Sequence, residues 1–404
     1  MKTLLYNAYV ITMDAQRTLL DSGAVCIDGE KIVDVGESHT LLQEYPDASL
    51  VDCQGNILLP GFIEPLAEVG NGLLGKQFSD DHQQWNALRR RFEADATPDE
   101  ISMDGILLSR KALFLGITTL GIAYRNNLPQ VHRLRHQNAA TGQGIRLLSF
   151  MKAPVHGDYS ESALRDAGHG FILDHPLAHL SPESLSEILQ RNNKLCLLYV
   201  TPQYLEQFGS ILFSMPSGRK FALVGCHGIS FPQLQKIARR KMGVIYEPNT
   251  YLPSPHIVEM LHEGIPVALS SHSEHNRNPF DLFQTARRAQ LFNITLYDDY
   301  HILPFGKTLE MLTIESAKVL GIEDITGSLE PGKDADINIL SWHQPHLTPN
   351  FMPLQGMMSR ASGRDIIQVI AKGRVVKADG LLVDPQSPEI PLETTRRWCC
   401  DATR

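Results

Sequence analysis

Seven side chains able to move a proton, hold an ion or grip a ligand lie at the ends of apolar, strand-like runs in this sequence. Glu64 and Glu68 belong to Pro60-Gly61-Phe62-Ile63-Glu64-Pro65-Leu66-Ala67-Glu68, and Tyr199 lies near the end of Leu195 to Thr201. His227 follows Ala222 to Cys226, while Ser271, His272 and His275 follow Pro266 to Ser270. One carboxylate with two imidazoles (Glu68, His227 and His272) is a known zinc set with an open fourth position. Without a metal, Glu68, His227, His272 and Tyr199 are candidate catalytic acid–base groups, with Glu64, Ser271 and His275 as ligand contacts. Carboxylates beside imidazoles invite the raised pKa values that such chemistry requires. Alternatively the groups pair with each other at a dead site, although burying such a cluster without a purpose is costly. The expectation is a metal-free site with no cofactor; zinc or iron, if bound, would be held by Glu68, His227 and His272.

These residues can meet only if the chain brings strand ends together. Strand candidates recur at Ile57 to Ile63, Ile117 to Ala123, Ile145 to Phe150, Leu195 to Thr201, Ala222 to Cys226, Gly243 to Tyr246 and Pro266 to Ser270. A further strand is expected near Gly170-Phe171-Ile172-Leu173. Helical stretches with an apolar stripe separate most of them, at Pro98 to Leu115, Ser181 to Gln190, Phe231 to Arg240, Ile257 to His262 and Pro279 to Phe292. Such alternation predicts an α/β fold, with a (β/α)8 TIM-like barrel as the leading candidate. Side chains on inward positions at strand ends would then share one cavity.

Both ends of the chain have a different texture. Leu4 to Thr12, Ala24 to Ile27 and Lys31 to Val35 read as short strands, with Asp28-Gly29-Glu30 as a hairpin signal. Ala335 to Leu340 and Ile366 to Ala371 read likewise, with a turn at Lys372-Gly373-Arg374 leading into Val375-Val376. Residues 1–58 and 330–384 are expected to meet in a small composite β-sandwich around a barrel of residues 59–329, leaving 385–404 as a tail.

The 404 residues are 43% hydrophobic and 20% charged, which suits a soluble globular protein. A net charge of −8 offers no electrostatic reason for nucleic acid or an anionic membrane as a partner. No apolar run approaches the roughly 18 to 20 residues that cross a bilayer, and no signal peptide is evident, so a cytoplasmic location is expected. None of the six cysteines shows C-x-x-C spacing; four lie in apolar contexts as small buried hydrophobes, and Cys399-Cys400 reads as an exposed tail.

Several motifs are similar to those of one family. The run Pro60 to Glu68 resembles P-G-F-[IV]-[DN]-x-H-x-H, the first barrel strand of the metal-dependent amidohydrolase superfamily. Phe114-Leu115-Gly116-Ile117-Thr118-Thr119 resembles its L-x-x-G-[TV]-T-T, and Thr308 to Gly321 its A-L-x-x-A-T-x-x-x-A-x-x-L-G helix. Gly327 to Asp336 is similar to G-S-L-E-x-G-K-x-A-D, and Val369 to Val376 to the closing V-x-x-G-x-x-V. The resemblance is to the deaminase and chlorohydrolase branch, from about residue 3 to residue 384. It implies a barrel inserted in a terminal sandwich, and a site at the C-terminal mouth of the barrel. It further implies hydrolysis of C–N bonds other than peptide bonds, a small-molecule ligand of the nitrogen-heterocycle kind, and a homodimer or larger assembly.

The family's metal positions are largely substituted. Its two first-strand histidines fall on Leu66 and Glu68, and its fifth-strand H-x-x-E on Tyr199-Val200-Thr201-Pro202. The sixth-strand histidine is kept as His227, and the eighth-strand G-T-D reads Ser270-Ser271-His272. The resemblance thus implies an intact fold around a rebuilt centre, or else a non-catalytic homologue that binds a small molecule or partner subunit. Other conspicuous residues read as structural: Met103, Met151 and Met242 as core, and His156, His169, His175 and His179 as a polar loop rather than a metal tract. Arg89-Arg90-Arg91 reads as solvated helix surface, with the alternative that an arginine reaches the pocket to meet a carboxylate or phosphate.

Overall fold

β-branched and aliphatic residues at period two govern the molecule, because each strand must bury at least one face. The computed structural model describes residues 2–74, 82–124, 130–152, 168–173, 194–214, 221–248, 256–271, 280–349, 351–384 and 389–400. The chain enters through β1 (Lys2–Ile11), β2 (Leu19–Asp28), β3 (Lys31–Glu37), β4 (Ser49–Asp52) and β5 (Ile57–Pro60), with helix α1 (Ser38–Glu44) between β3 and β4. Eight parallel strands then follow: β6 (Phe62–Glu68), β7 (Ile117–Tyr124), β8 (Arg146–Lys152), β9 (Gly170–Leu173), β10 (Leu195–Val200), β11 (Phe221–Gly225), β12 (Gly243–Tyr246) and β13 (Val267–Leu269). The chain returns through β14 (Ile337–Leu340), β15 (Ile366–Ala371), β16 (Arg374–Ala378) and β17 (Leu381–Leu382).

Strands from the two termini join where β5 pairs antiparallel with β14, Leu59 opposite Asn338. The result is one nine-stranded sheet in the order β17-β16-β15-β14-β5-β1-β2-β3, with β4 also paired to β1. The expected continuous strand Ile57 to Ile63 is two strands, one in each sheet. The break falls at Gly61, whose N–H donates to Asp336 O at 2.8 Å. A Cβ there would stand 2.2 Å from Thr118 Oγ1, so only glycine lets the chain cross between domains at this point.

The parallel strands form a nearly closed barrel in sequence order. Its interior is filled by alternate residues: Leu195 and Leu197 on β10, Ala222 and Val224 on β11, Ile245 on β12 and Ala268 on β13. Their neighbours Cys196, Leu198, Leu223, Val244 and Leu269 face the outer core, against the helices. This is the packed interior of a TIM-type barrel. α2 (His82–Asp95) and α3 (Pro98–Phe114) follow β6, and α4 (Gln130–Thr141) follows β7. The expected helix at Ser181 to Gln190 lies outside the described residues. The one expected at Pro279 to Phe292 runs Leu282–Tyr297, because the Asp281 side chain caps it by accepting from Gln284 N at 3.3 Å. None of the described helices is long and apolar enough to cross a membrane.

Candidate functional site

β6 carries two of the candidate residues, Glu64 and Glu68, and a bulge decides where they point. Ile63 and Glu64 pair with Thr119 and Leu120, yet Ala67 and Glu68 pair with Ile122 and Ala123, so Pro65 and Leu66 oppose Gly121 alone. Gly121 is required there, since a Cβ would lie 2.0 Å from Pro65 O. One extra residue reverses the faces of a strand beyond it. Ile63 before the bulge and Leu66 after it both join the barrel interior, and Glu68 takes the same face as its partner Ala123.

At the C-terminal end of β6, Glu68 is 3% exposed and paired with Arg89 of α2 and Lys152 at the end of β8. Both cations are themselves buried. One carboxylate between a guanidinium and an ammonium offsets the desolvation of all three, which a lone buried charge could not do. The Arg89-Arg90-Arg91 run is therefore split. Arg90 is exposed as expected of helix surface, Arg91 lies over the Trp398 ring at 5.6 Å, and Arg89 turns inward. Its direction follows from helical spacing, because Arg89, Phe92, Glu93 and Ala96 form the buried stripe.

Glu64 has a different task. It is fully buried and accepts from Ser270 Oγ and Ser271 Oγ, both at 2.5 Å, and from Ser271 N at 2.9 Å. Ser270 Oγ also reaches Leu66 O at 3.3 Å, and Ser271 Oγ accepts from Phe280 N at 3.0 Å. Ser270 and Ser271 follow β13 directly, so these bonds tie the last strand to the first at the barrel seam. Burial pushes the Glu64 carboxyl above the usual carboxylate range, against the pull of the serine bonds. Both Glu64 and Ser271 are enclosed here, with their polar atoms turned on one another.

Tyr199 and His227 sit at the ends of adjacent strands β10 and β11, and both are half-buried. Tyr199 packs against the same interior group as Leu66. His227 is presented by a turn with three left-handed positions around it: Gly225 at φ 88°, Cys226 at φ 58° and Gly228 at φ 68°. A buried non-glycine residue in that region is held there by its surroundings, a feature common at functional sites. His272 and His275 lie outside the described residues, as do His156, His175 and His179. His169 is structural, its Nε2 donating to Leu320 O at 2.9 Å.

A buried network supports the loop after β6. Asp104 of α3 accepts from Gly70 N at 2.8 Å and Leu73 N at 2.6 Å. It also meets His136 Nε2 of α4 at 2.9 Å, and His136 Nδ1 meets Tyr124 Oη at 3.0 Å. Burial, then the Asp104 charge, push the Tyr124 hydroxyl well above its usual pKa, so it stays neutral. Neither Lys152 nor this network was singled out from sequence. The signal was present: Lys152 is an ionisable group closing an apolar strand, and Asp104 interrupts the apolar stripe Ile101, Gly105, Leu108.

A divalent ion does not fit the described residues. Leu66 has no donor atom and packs in the barrel interior, while Glu68 already meets two cations that would repel a dication. Among the described residues, no group of three His, Cys, Asp or Glu could hold a metal ion.

Comparison with known proteins finds chains of similar sequence and similar fold. An amidohydrolase family model matches residues 209–376, and an imidazolonepropionase-like composite domain model matches residues 23–48. A 5-methylthioadenosine/S-adenosylhomocysteine deaminase of Bacillus thuringiensis is 26% identical, with 98% of each chain covered. An adenosine deaminase from Xanthomonas campestris, solved with bound zinc, superposes with a TM-score of 0.84 at 17% identity, covering 99% of this chain and 98% of its own. An atrazine chlorohydrolase from Arthrobacter aurescens, also solved with zinc, gives 0.78 at 20% identity with 99% of each chain covered.

Proposed function

We propose that this chain, an amidohydrolase-superfamily protein of the deaminase and chlorohydrolase branch, binds a small nitrogen heterocycle at a barrel mouth that works without a metal ion. The ligand class comes from the relatives, whose names specify nucleosides and a triazine. The observation that carries the metal-free reading is the Glu68 carboxylate, engaged by Lys152 and Arg89 where the family places a histidine ligand. In this reading the three charges form a fixed electrostatic floor, and His227 and Tyr199, half-buried at the strand ends, donate to or accept from the ligand. His272 completes the acid–base set. Proton transfer by imidazole and phenol, rather than attack by a metal-bound hydroxide, is the chemistry left to such a set.

A second reading, binding without turnover, is favoured by Pro202. It stands where the family keeps its proton-shuttling glutamate and opens the helix Pro202–Ser214, so that no carboxylate occupies that position.

The test is metal analysis together with calorimetry on chelator-treated protein, using adenosine, 5-methylthioadenosine and guanine as probes. The expected result is metal far below one equivalent and heterocycle binding that survives chelation. His227→Ala should weaken binding by about tenfold, the value of one lost polar contact of about 1.4 kcal/mol, without lowering the melting temperature. One equivalent of zinc per chain, lost in His227→Ala, would overturn the metal-free reading. Tight binding with no product by chromatography would select the non-catalytic reading.

A further inference from the structure

Within residues 385–404, expected to be a tail, Arg397 and Trp398 pack onto the helix that carries Arg89 and onto the start of α3. Trp398 is 2% exposed, and its ring meets Phe92 of α2 edge-on at 5.0 Å. Trp398 Nε1 donates to Glu100 Oε1 at 2.7 Å, and Arg397 Nη1 donates to Glu100 Oε2 at 3.0 Å. Arg397 Nη2 also reaches Asp95 O, at the end of α2, at 2.5 Å. Arg397 itself stacks over the Trp398 ring at 4.8 Å. Glu100 meanwhile caps α3, accepting from Thr97 N at 2.8 Å while its own N–H donates to Thr97 Oγ1 at 3.3 Å. One carboxylate thus joins the α2–α3 corner to the C-terminal segment.

The contact continues inward. Gly70, two residues beyond Glu68, lies under α2. A Cβ on it would stand 3.5 Å from Arg89 Cγ and 3.6 Å from Phe92 Cδ1. Phe92 is one helical turn from Arg89, so the ring that Trp398 presses upon and the guanidinium that pairs with Glu68 share one face.

We propose that Trp398 and Arg397 are positioning residues for the barrel mouth: the C-terminal segment straps α2 in the orientation that holds Arg89 against Glu68. Neither residue touches the mouth, and both act through α2. A guanidinium buried against one carboxylate tolerates little displacement, because a shift of about 1 Å leaves two buried charges imperfectly paired. A strap one helical turn along from Arg89 therefore governs the ion cluster without belonging to it. The proposal rests on the reading above only for the ligand arm of its test.

The test uses the full chain with Trp398→Ala, Trp398→Phe, Arg397→Gln, Arg89→Met and the pair Trp398→Ala/Arg89→Met. Hydrogen exchange followed by mass spectrometry reads α2 directly, and acetylation by an activated ester reads the accessibility of Lys152. Trp398→Ala should speed exchange over residues 87–95 by about tenfold or more while leaving β1–β3 unchanged, as expected of a local opening. It should also raise Lys152 acetylation to the level seen in Arg89→Met, with no further rise in the double variant. Trp398→Phe, which keeps the ring against Phe92, should restore most of the protection. Arg397→Gln should show a smaller effect of the same sign, and it covers the case in which Trp398→Ala does not fold. Uniform acceleration across the chain, or additive effects of Trp398→Ala and Arg89→Met on Lys152, would overturn the proposal. Heterocycle affinity is measured separately; its failure with α2 exchange as expected would count against the ligand reading alone.

Discussion

Replacing Glu68 with glutamine removes one negative charge and changes little in volume, so its effect isolates the electrostatics of the mouth. Arg89 and Lys152 both lie against this carboxylate, and all three side chains are buried. Two unit charges on opposite oxygens of one carboxylate stand about 5 Å apart and repel by about 3 kcal/mol at an effective dielectric constant of about 20. Loss of charge-assisted bonds adds to this, so Glu68→Gln should cost about 3–5 kcal/mol, the usual range when one partner of a buried pair is removed. Lys152→Met differs in kind. It leaves Glu68 and Arg89 as a balanced pair and keeps most of the aliphatic stem, so a cost below about 2 kcal/mol is expected. The double variant should recover part of the Glu68→Gln loss, giving a coupling of about 2 kcal/mol between the sites. Urea unfolding followed by circular dichroism measures all four proteins. If Glu68→Gln is as stable as the parent, or no less stable than Lys152→Met, the ion cluster does not hold the mouth together and the reasoning fails.

Two further outcomes follow from the barrel seam and the small sheet. Ser271→Ala removes a donor from the buried Glu64 carboxyl and the acceptor of Phe280 N, and should cost about 2–4 kcal/mol in urea unfolding, whereas an effect below about 0.5 kcal/mol would deny the seam its role. Lys377 is buried on β16, donates to Phe114 O at 2.6 Å, and has its pKa lowered by burial to about 8. The unfolded chain holds this proton up to about pH 10.4, so between pH 8 and that value it binds more protons than the native state and stability rises with pH. Below pH 8 both states carry the proton and the full cost of the buried charge is felt. The difference in urea midpoint between the parent and Lys377→Met should therefore shift in the parent's favour from pH 8 to pH 10; a difference constant across that range contradicts the assignment.

The architecture was legible because it is written in short-range patterns. Alternation along Leu195 to Val200 and Ala222 to Gly225 sends every second residue to the interior, and the apolar stripes between strands mark the helices that cover them. Glu64 and Glu68 were also legible as charges in an apolar strand, but their separation into a seam bond and a mouth ion pair was not. Periodicity would place both on one face, and the bulge opposite Gly121 cancels that inference by adding a single residue. Arg89 shows the same limit in a helix: its neighbours Arg90 and Arg91 are chemically identical, and about 100° of rotation per residue decides which one meets Glu68.

By itself, then, the order of residues determined the barrel, the composite sheet and the presence of leucine and glutamate at positions 66 and 68, since each depends on residue type or on neighbours within a few positions. Only the tertiary structure decided that Lys152 and Arg89, 84 and 21 positions from Glu68 along the chain, would share its carboxylate, and that Trp398 would close over α2. Charge pairing and ring packing act through space over a few ångströms, and the separations that matter to them arise only once strands and helices have been brought side by side.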